Sequence, residues 1–452
     1  MEHNKRSSFS NKLGFILAAA ASAVGLGNLW RFPYLAARYG GGTFLLIYLI
    51  LAVTFGFTLM IAEIGIGRKT GLSAIGAYAK LNKKYSIIGY LGSLVPIIIL
   101  PYYSVIGGWV IKYLSVFVTG KTNTAAADGY FEGFIGKTGE PVVWLLIFIL
   151  FTSVVVFLGV EKGIEKVSKM LMPLLVILTV GIAIYSVCLP GAKEGLIYYL
   201  KPDFSNFSFK TIVAALGQLF YSMSLAMGIM ITYGSYMKKD VDMEKSVFQI
   251  EFFDTLIAFF AGMMIVPAVF VFSNGNAAAM NAGPGLMFIT LPKIFDNMPL
   301  GTLIGALFFI LVLFAALTSS ISLMETVVSI VCDKLHWGRR LSTVIVTLFS
   351  IAVALPSSLG FGIWSDITPL GMSFLDFFDF TSNSILMPIV AFLTCIFIGY
   401  VIKPKAVADE VKTSSPFHFE KVFNIMIKYV APVFIIIILI SSILSAFTDF
   451  KI

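Results

Sequence analysis

The sequence predicts an all-α polytopic membrane fold, and three observations lead there. Of the 452 residues, 58% are hydrophobic and only 12% are charged, and mean hydropathy is +0.93. Water-soluble domains carry about 25% charged residues. Apolar runs that reach the roughly 20 residues of a spanning helix recur along almost the whole chain. Lysine and arginine gather in alternate connections, the bias that orients helices in a bilayer. The net charge of +8 is therefore read as membrane topology. No connection is large enough to present the basic face that a nucleic-acid partner requires.

Eleven spans follow in order: 11–37, 41–67, 86–118, 142–159, 166–188, 210–236, 241–272, 299–332, 339–355, 370–401 and 424–447. The polar N-terminus runs straight into the first span with no small-residue cleavage site, so that span reads as a retained helix. Placing the N-terminus in the cytoplasm puts Arg68, Lys69, Lys80, Lys83, Lys84, Lys162, Lys166, Lys169, Lys238, Lys239, Lys334, Arg339, Arg340, Lys403 and Lys405 inside. Eleven crossings of a cell inner (plasma) membrane then leave the C-terminus outside. Of the outer connections, 119–141 and 189–209 read as solvated loops. Residues 275–297, broken by Gly283-Pro284-Gly285, read as a helical loop folded over the outer mouth.

Cys188, Cys332 and Cys395 are far apart and in or beside apolar runs, so no disulfide framework or metal spacing is present in them. His3, His336 and His418 lie near the terminus or in loops, which argues against a histidine proton relay in the membrane.

The first span contains "SAVGLGNLWRFP" at 22–33, a poor sequence for an unbroken helix. A helix is interrupted in a bilayer only where the freed backbone is buried in protein or lines a polar cavity. A second interruption is predicted in "GQLFYSMSLAMG", 217–228, in span six. Either stretch alone reads as small residues for close helix packing. Two of them, in the first and sixth helices of ten, point to inverted repeats (11–188 and 210–401) with a binding site between them and one extra helix, 424–447. Half-helix N-termini suit an anionic group and freed carbonyls suit a cation. An amino-acid zwitterion with sodium uses both, and glycines in 22–28 permit close approach of the main chain.

"AVGLGNLWRFP", "GGGTF", "AEIGIGR", "GQLFYSMSLAMGIMITYGSY", "AGPGLMFITLP" and "FAALTSSISLM" resemble the neurotransmitter:sodium symporter family, in a bacterial eleven-helix form, essentially end to end. The resemblance implies a single transporter domain over 1–452 with the leucine-transporter fold. It implies a sodium-coupled symporter that imports a hydrophobic or aromatic amino acid by alternating access. One sodium would be held by the Ala23 carbonyl, Asn28, Ser222, Asp254 and the substrate carboxylate. A second would use the carbonyls of Ala21, Val24 and Ala315 with the hydroxyls of Thr318 and Ser319; Ser320 completes a hydroxyl triple expected to face the two breaks. Ala23 and Gly27 would meet the substrate carboxylate with N–H groups, and Tyr103 with its hydroxyl. The Tyr221 and Ser222 carbonyls would take the ammonium. Ile99, Tyr103, Tyr221, Ser224, Ala226, Met227, Ser319 and Leu323 would surround the side chain. Arg31 and Asp379 would form an outer gate, with Tyr103 and Tyr221 closing between them. Arg6 and Asp333 would form an inner gate near Tyr236, above Phe9.

Asp254 stands where the family often has Asn, and Ala258, one turn on, offers no anion ligand. An ionised group at bilayer depth is costly and usually functional. Its charge is expected to replace a chloride, so the expected ligands are two sodium ions and no chloride. The competing reading is a structural carboxylate satisfied by neighbouring hydroxyls. Glu63 is expected to satisfy freed backbone, and Gly163 with Pro173 to let the inner half of span five unwind. Ser22 and Ala21 replace residues common in relatives, and many members have a twelfth helix, so the oligomeric state is open. Two sodium ions with a neutral zwitterion would gain about twice the ~2.3 kcal/mol per charge that 100 mV supplies. A proton-coupled carrier on the same fold, or an amino-acid sensor that does not transport, are the alternative readings. A channel would need rings of like charge or filter repeats, and an enzyme a nucleophile–base pair or metal cluster at cavity depth; neither is present.

Overall fold

The computed structural model describes residues 7–273 and 283–447. Within them the chain forms eleven membrane-length helical units. These are α1 (Lys12–Ala23 continued by Gly27–Arg38), α2 (Gly42–Thr70), α3 (Lys83–Val118), α4 (Glu140–Phe157), α5 (Val160–Val187) and α6 (Phe209–Ser222 continued by Ile229–Tyr236). They go on as α7 (Met243–Phe272), α8 (Gly301–Leu335), α9 (Arg339–Leu359), α10 (Phe374–Val401) and α11 (Glu420–Phe447). Nine are continuous and apolar enough to cross a bilayer, among the described residues, and α1 joins them as a pair bent by 53°. The α6 break is longer, spanning 223–228.

Starts and stops follow local chemistry. Asn11, Ser208 and Asp242 cap α1, α6 and α7 by accepting the N–H of Gly14, Thr211 and Lys245, supplying orphan donors with oxygens. α2 ends at Gly71 in the left-handed conformation (φ 67) that glycine adopts without steric penalty.

Burial sorts the helices into an inner and an outer set. The most apolar stretch of α3 is 78% buried, whereas that of α11 is 22% buried and turns Val433, Ile436 and Ile440 to lipid. α1, α6 and α8 run through the centre; Ala19, Ala20, Met230 and Ala315 are fully buried. All the polar work described below is done inside this ring of lipid-facing helices.

Two expectations are corrected. Residues 119–141 and 189–209 are not merely solvated loops. They hold short helices, Thr122–Ala126, Tyr130–Ile135 and Ala192–Leu200, and they bury Phe131, Phe134 and Tyr199 against the bundle. Their polar residues face outward at helical spacing, which hid the buried face. α5 starts six residues before the expected 166, because a π-helical turn, Val160–Glu165, carries it past Gly163. Of the outer loop 275–297, Leu286–Asn297 is helical, and residues up to 282 lie outside the described residues.

Candidate functional site

Both expected interruptions are present, and they meet. α1 stops at Ala23; Val24 turns extended (φ −70, ψ 106), and helix resumes at Gly27. In α6 three residues within 223–228 have left-handed φ: Ser224 at 53, Ala226 at 60 and Gly228 at 73. For Ser224 and Ala226 this backbone costs of order 1–3 kcal/mol each and persists only where the surroundings hold it. They do hold it. Ser224 Oγ donates to the Ser22 carbonyl at 2.9 Å, tying one break to the other. The Ala226 N–H donates to Glu63 Oε1 at 2.6 Å. The freed backbone finds its partners in protein.

Between the breaks lies a small cavity of ≈ 50 Å³. Ten of the eleven residues expected to bind substrate line it: Ala23, Gly27, Ile99, Tyr103, Tyr221, Ser222, Ser224, Met227, Ser319 and Leu323. Ala226 does not; it is buried with its N–H committed to Glu63. Five lining residues were missed, namely Ser22, Gly25, Leu26, Ile229 and Asn383, besides Asn28, which was expected only at sodium. The lining carries no ionisable acid or base apart from tyrosine.

Asp254, on α7 and 1% exposed, lies behind one wall, bonded to the lining residues Asn28 and Ser222. Its Oδ1 accepts from Asn28 Nδ2 at 2.7 Å and from Ser222 Oγ at 2.9 Å, and its Oδ2 accepts from Tyr48 OH at 3.2 Å. The Asn28 side-chain oxygen accepts the Gly25 N–H at 3.0 Å. One carboxylate on α7 therefore gathers hydrogen-bond donors from both broken helices and from α2. Tyr48 was missed, although a tyrosine in the apolar run "FLLIYLIL" is a readable signal. Ala258, one turn on, is buried and inert.

The expected second sodium set is also close together. Ser319 Oγ lies 3.2 Å from the Val24 carbonyl and 3.2 Å from that of Ser22, and Thr318 Oγ1 is 3.1 Å from the Ala315 carbonyl. Ala21 is buried on the same half of α1. The hydroxyl triple is corrected, however. Ser320 faces away, paired with Thr152 of α4 at 3.1 Å, because successive helical residues turn by 100°. Thr318 also bonds back to its own helix at Phe314, as isolated threonines do.

The gates differ from expectation. Arg31 and Asp379 share a vestibule beyond the cavity but form no ion pair with each other in this structure. The Arg31 guanidinium stands 5.0 Å over the Tyr221 ring, and Asp379 accepts from Tyr102 at 3.0 Å and Asn383 at 2.6 Å. It is Tyr102 that reaches Asp379, while Tyr103, a helical step away, faces the cavity. At the end bearing the basic connections Arg6 lies outside the described residues. Asp333 accepts the Ser73 N–H at 2.8 Å. Phe9 is buried edge-on against Tyr233 and Tyr236, with its N–H on the Tyr236 carbonyl. Beside it Tyr236 OH donates to Glu325 at 2.7 Å, and Arg339 pairs with the same carboxylate. Basic-end closure is thus built from more groups than the sequence suggested.

The profile of the Sodium:neurotransmitter symporter family matches residues 6–130 and 130–450. This chain belongs to that family. Among curated relatives, a sodium-dependent transporter of Haemophilus influenzae without assigned function is 34% identical over 97% of this chain and 99% of its own. The sodium-dependent transporter YhdH of Bacillus subtilis, likewise unassigned, is 34% identical over 98% of each chain. Among solved structures, MhsT in complex with L-phenylalanine superposes with a TM-score of 0.87 at 38% identity, covering 97% of this chain and 100% of its own. As a member of the sodium:neurotransmitter symporter family, the protein is a multi-pass, sodium-coupled membrane transporter.

Proposed function

We propose that this symporter imports a hydrophobic or aromatic amino acid together with two sodium ions, without chloride. The observation that carries the proposal is Asp254. A carboxylate stands at the point where both broken helices deliver oxygen-bearing side chains, Asn28 and Ser222. Hard cations take such oxygen ligands. The anionic charge that would offset them is already covalently in place. The hydrogen bonds that Asp254 accepts suit the structural reading as well, so the two readings part on sodium affinity, not on geometry.

Substrate class follows from the wall. Ile99, Met227 and Leu323 supply apolar surface, Met227 adapts to several shapes, and no charged side chain is available to pair with a basic or acidic substrate. The likeness to a solved complex with L-phenylalanine supports the aromatic end of that class. The unwound segments at 24–26 and 223–228 present backbone to both ends of a zwitterion. Residues 11–188 and 210–401 act as inverted repeats about this site. The basic end is the cytoplasmic face of a plasma membrane, so the sealed Phe9–Tyr236 end faces inward.

Replacing Asp254 with Asn separates the two readings. The proposal expects half-saturating sodium to rise more than about tenfold, ~1.4 kcal/mol, with uptake becoming sensitive to chloride. Unchanged sodium affinity without any anion requirement would leave Asp254 a structural carboxylate.

A further inference from the structure

One residue of the cavity wall has no part in symport as read above. Asn383 sits in the π-helical turn Phe380–Leu386 of α10, an irregularity that concentrates at functional sites. This turn packs against α3, the helix that carries Ile99 and Tyr103. Asn383 borders both the cavity and the outer vestibule. Its amide orientation is fixed by its partners. Nδ2 donates to Asp379 Oδ1 at 2.6 Å and to Tyr102 OH at 3.0 Å, and the Tyr102 hydroxyl itself donates to that carboxylate. Both neighbours therefore require a donor, which leaves Oδ1 as the free acceptor. Asp379 and Tyr102 border the vestibule and not the cavity, so the nitrogen is held on the vestibule side and the oxygen is the atom left to the cavity.

Among the described residues, Asn383 Oδ1 and Tyr103 OH are the two side-chain atoms of the cavity lining that are buried without a hydrogen-bond partner. The serine hydroxyls are engaged: Ser224 and Ser319 with carbonyls of α1, Ser22 with Ser224, and Ser222 with Asp254. Tyr103 can donate to a substrate carboxylate, whereas Asn383 Oδ1 can only accept. The α-ammonium has its acceptors in the freed carbonyls at the helix breaks, so an acceptor on α10 is left for the other end of the substrate. We propose that Asn383 is a specificity residue for the substrate side chain: its Oδ1 accepts the hydrogen of an indole N–H or a phenol O–H, so the transporter prefers aromatic amino acids that carry such a donor over phenylalanine. The proposal rests on the aromatic reading of the substrate given above. A bare phenyl ring in the same place leaves the oxygen dry, and a buried acceptor without a partner opposes binding. A site built around such a bond rejects the analogue that lacks the donor far better than an apolar wall rejects by size.

The test is a pair of ligands of nearly the same shape: tryptophan and its benzothiophene analogue, in which sulfur replaces the indole N–H. Tyrosine and phenylalanine form a second pair. Dissociation constants come from calorimetric titration of the purified full-length protein in sodium. The wild type is expected to bind the donor-bearing member of each pair about tenfold more tightly or better. In Asn383→Leu both ratios should fall to one or below. Each ratio is taken within one protein, so a general loss of stability or a weakened contact to Asp379 does not move it. Equal affinities within the pairs in the wild type overturn the proposal with no variant needed, and ratios that survive in Asn383→Leu overturn it as well. If none of the four ligands binds, the aromatic reading falls and takes this proposal with it. If all four bind alike, only this proposal falls.

Discussion

Gly25 was not among the residues expected to bind ligand, yet it lies at a close approach between helices in the site. A Cβ there would come 2.8 Å from Ser319 Oγ and 3.4 Å from Tyr103 OH. Ser319 is the hydroxyl that contacts the Val24 carbonyl. Gly25→Ala is therefore expected to raise both the substrate KM and half-saturating sodium about tenfold, ~1.4 kcal/mol each, without lowering thermal stability. Uptake and sodium titrations check this, and unchanged constants would show that Ser319 can move aside freely. The glycines in 22–28 raised the expectation that backbone comes close to ligand there, but did not say which glycine matters. That depends on the facing helix, which a single segment does not encode. Asp254 was legible because an acid in an apolar span is rare. Thr318, Ser319 and Ser320 show the opposite limit, since three adjacent hydroxyls cannot share one face of a helix.

The α6 break is the element on which the site depends, and its conformation is held from outside. Ala226 at φ 60 is a left-handed non-glycine residue whose N–H has one partner, Glu63. The sequence predicted that Glu63 would satisfy freed backbone, and the geometry places it there. Removing the acceptor should cost about 1–3 kcal/mol, the penalty of a buried unsatisfied donor. Glu63→Ala is therefore expected to lower the thermal midpoint and uptake together, whereas Glu63→Gln, which keeps an acceptor oxygen, should restore most of both. Thermal unfolding in detergent with parallel uptake checks this. Equal stability of the two variants would mean that Ala226 finds another partner. That α6 breaks at all could be read from "GQLFYSMSLAMG". Which residues would go left-handed could not, because only one of the three is a glycine.

Across the whole molecule, every span boundary except the start of α5 fell within about four residues of expectation, because lipid enforces apolar length more strictly than water does. What failed were features set by tertiary partners. The outer connections bury aromatic faces, Arg31 and Asp379 share a vestibule without pairing, and Glu325 with Arg339 helps seal the basic end. Those contacts join segments remote in sequence, so no local pattern announces them. Sealing at one end and a vestibule at the other are the geometry that alternating access requires of a symporter. The most direct measurement is uptake of labelled apolar and aromatic amino acids into proteoliposomes, with an inward sodium gradient against equal potassium, in chloride or gluconate. The account predicts accumulation that requires sodium and is the same in both anions. Accumulation driven by a proton gradient in the absence of sodium would contradict it.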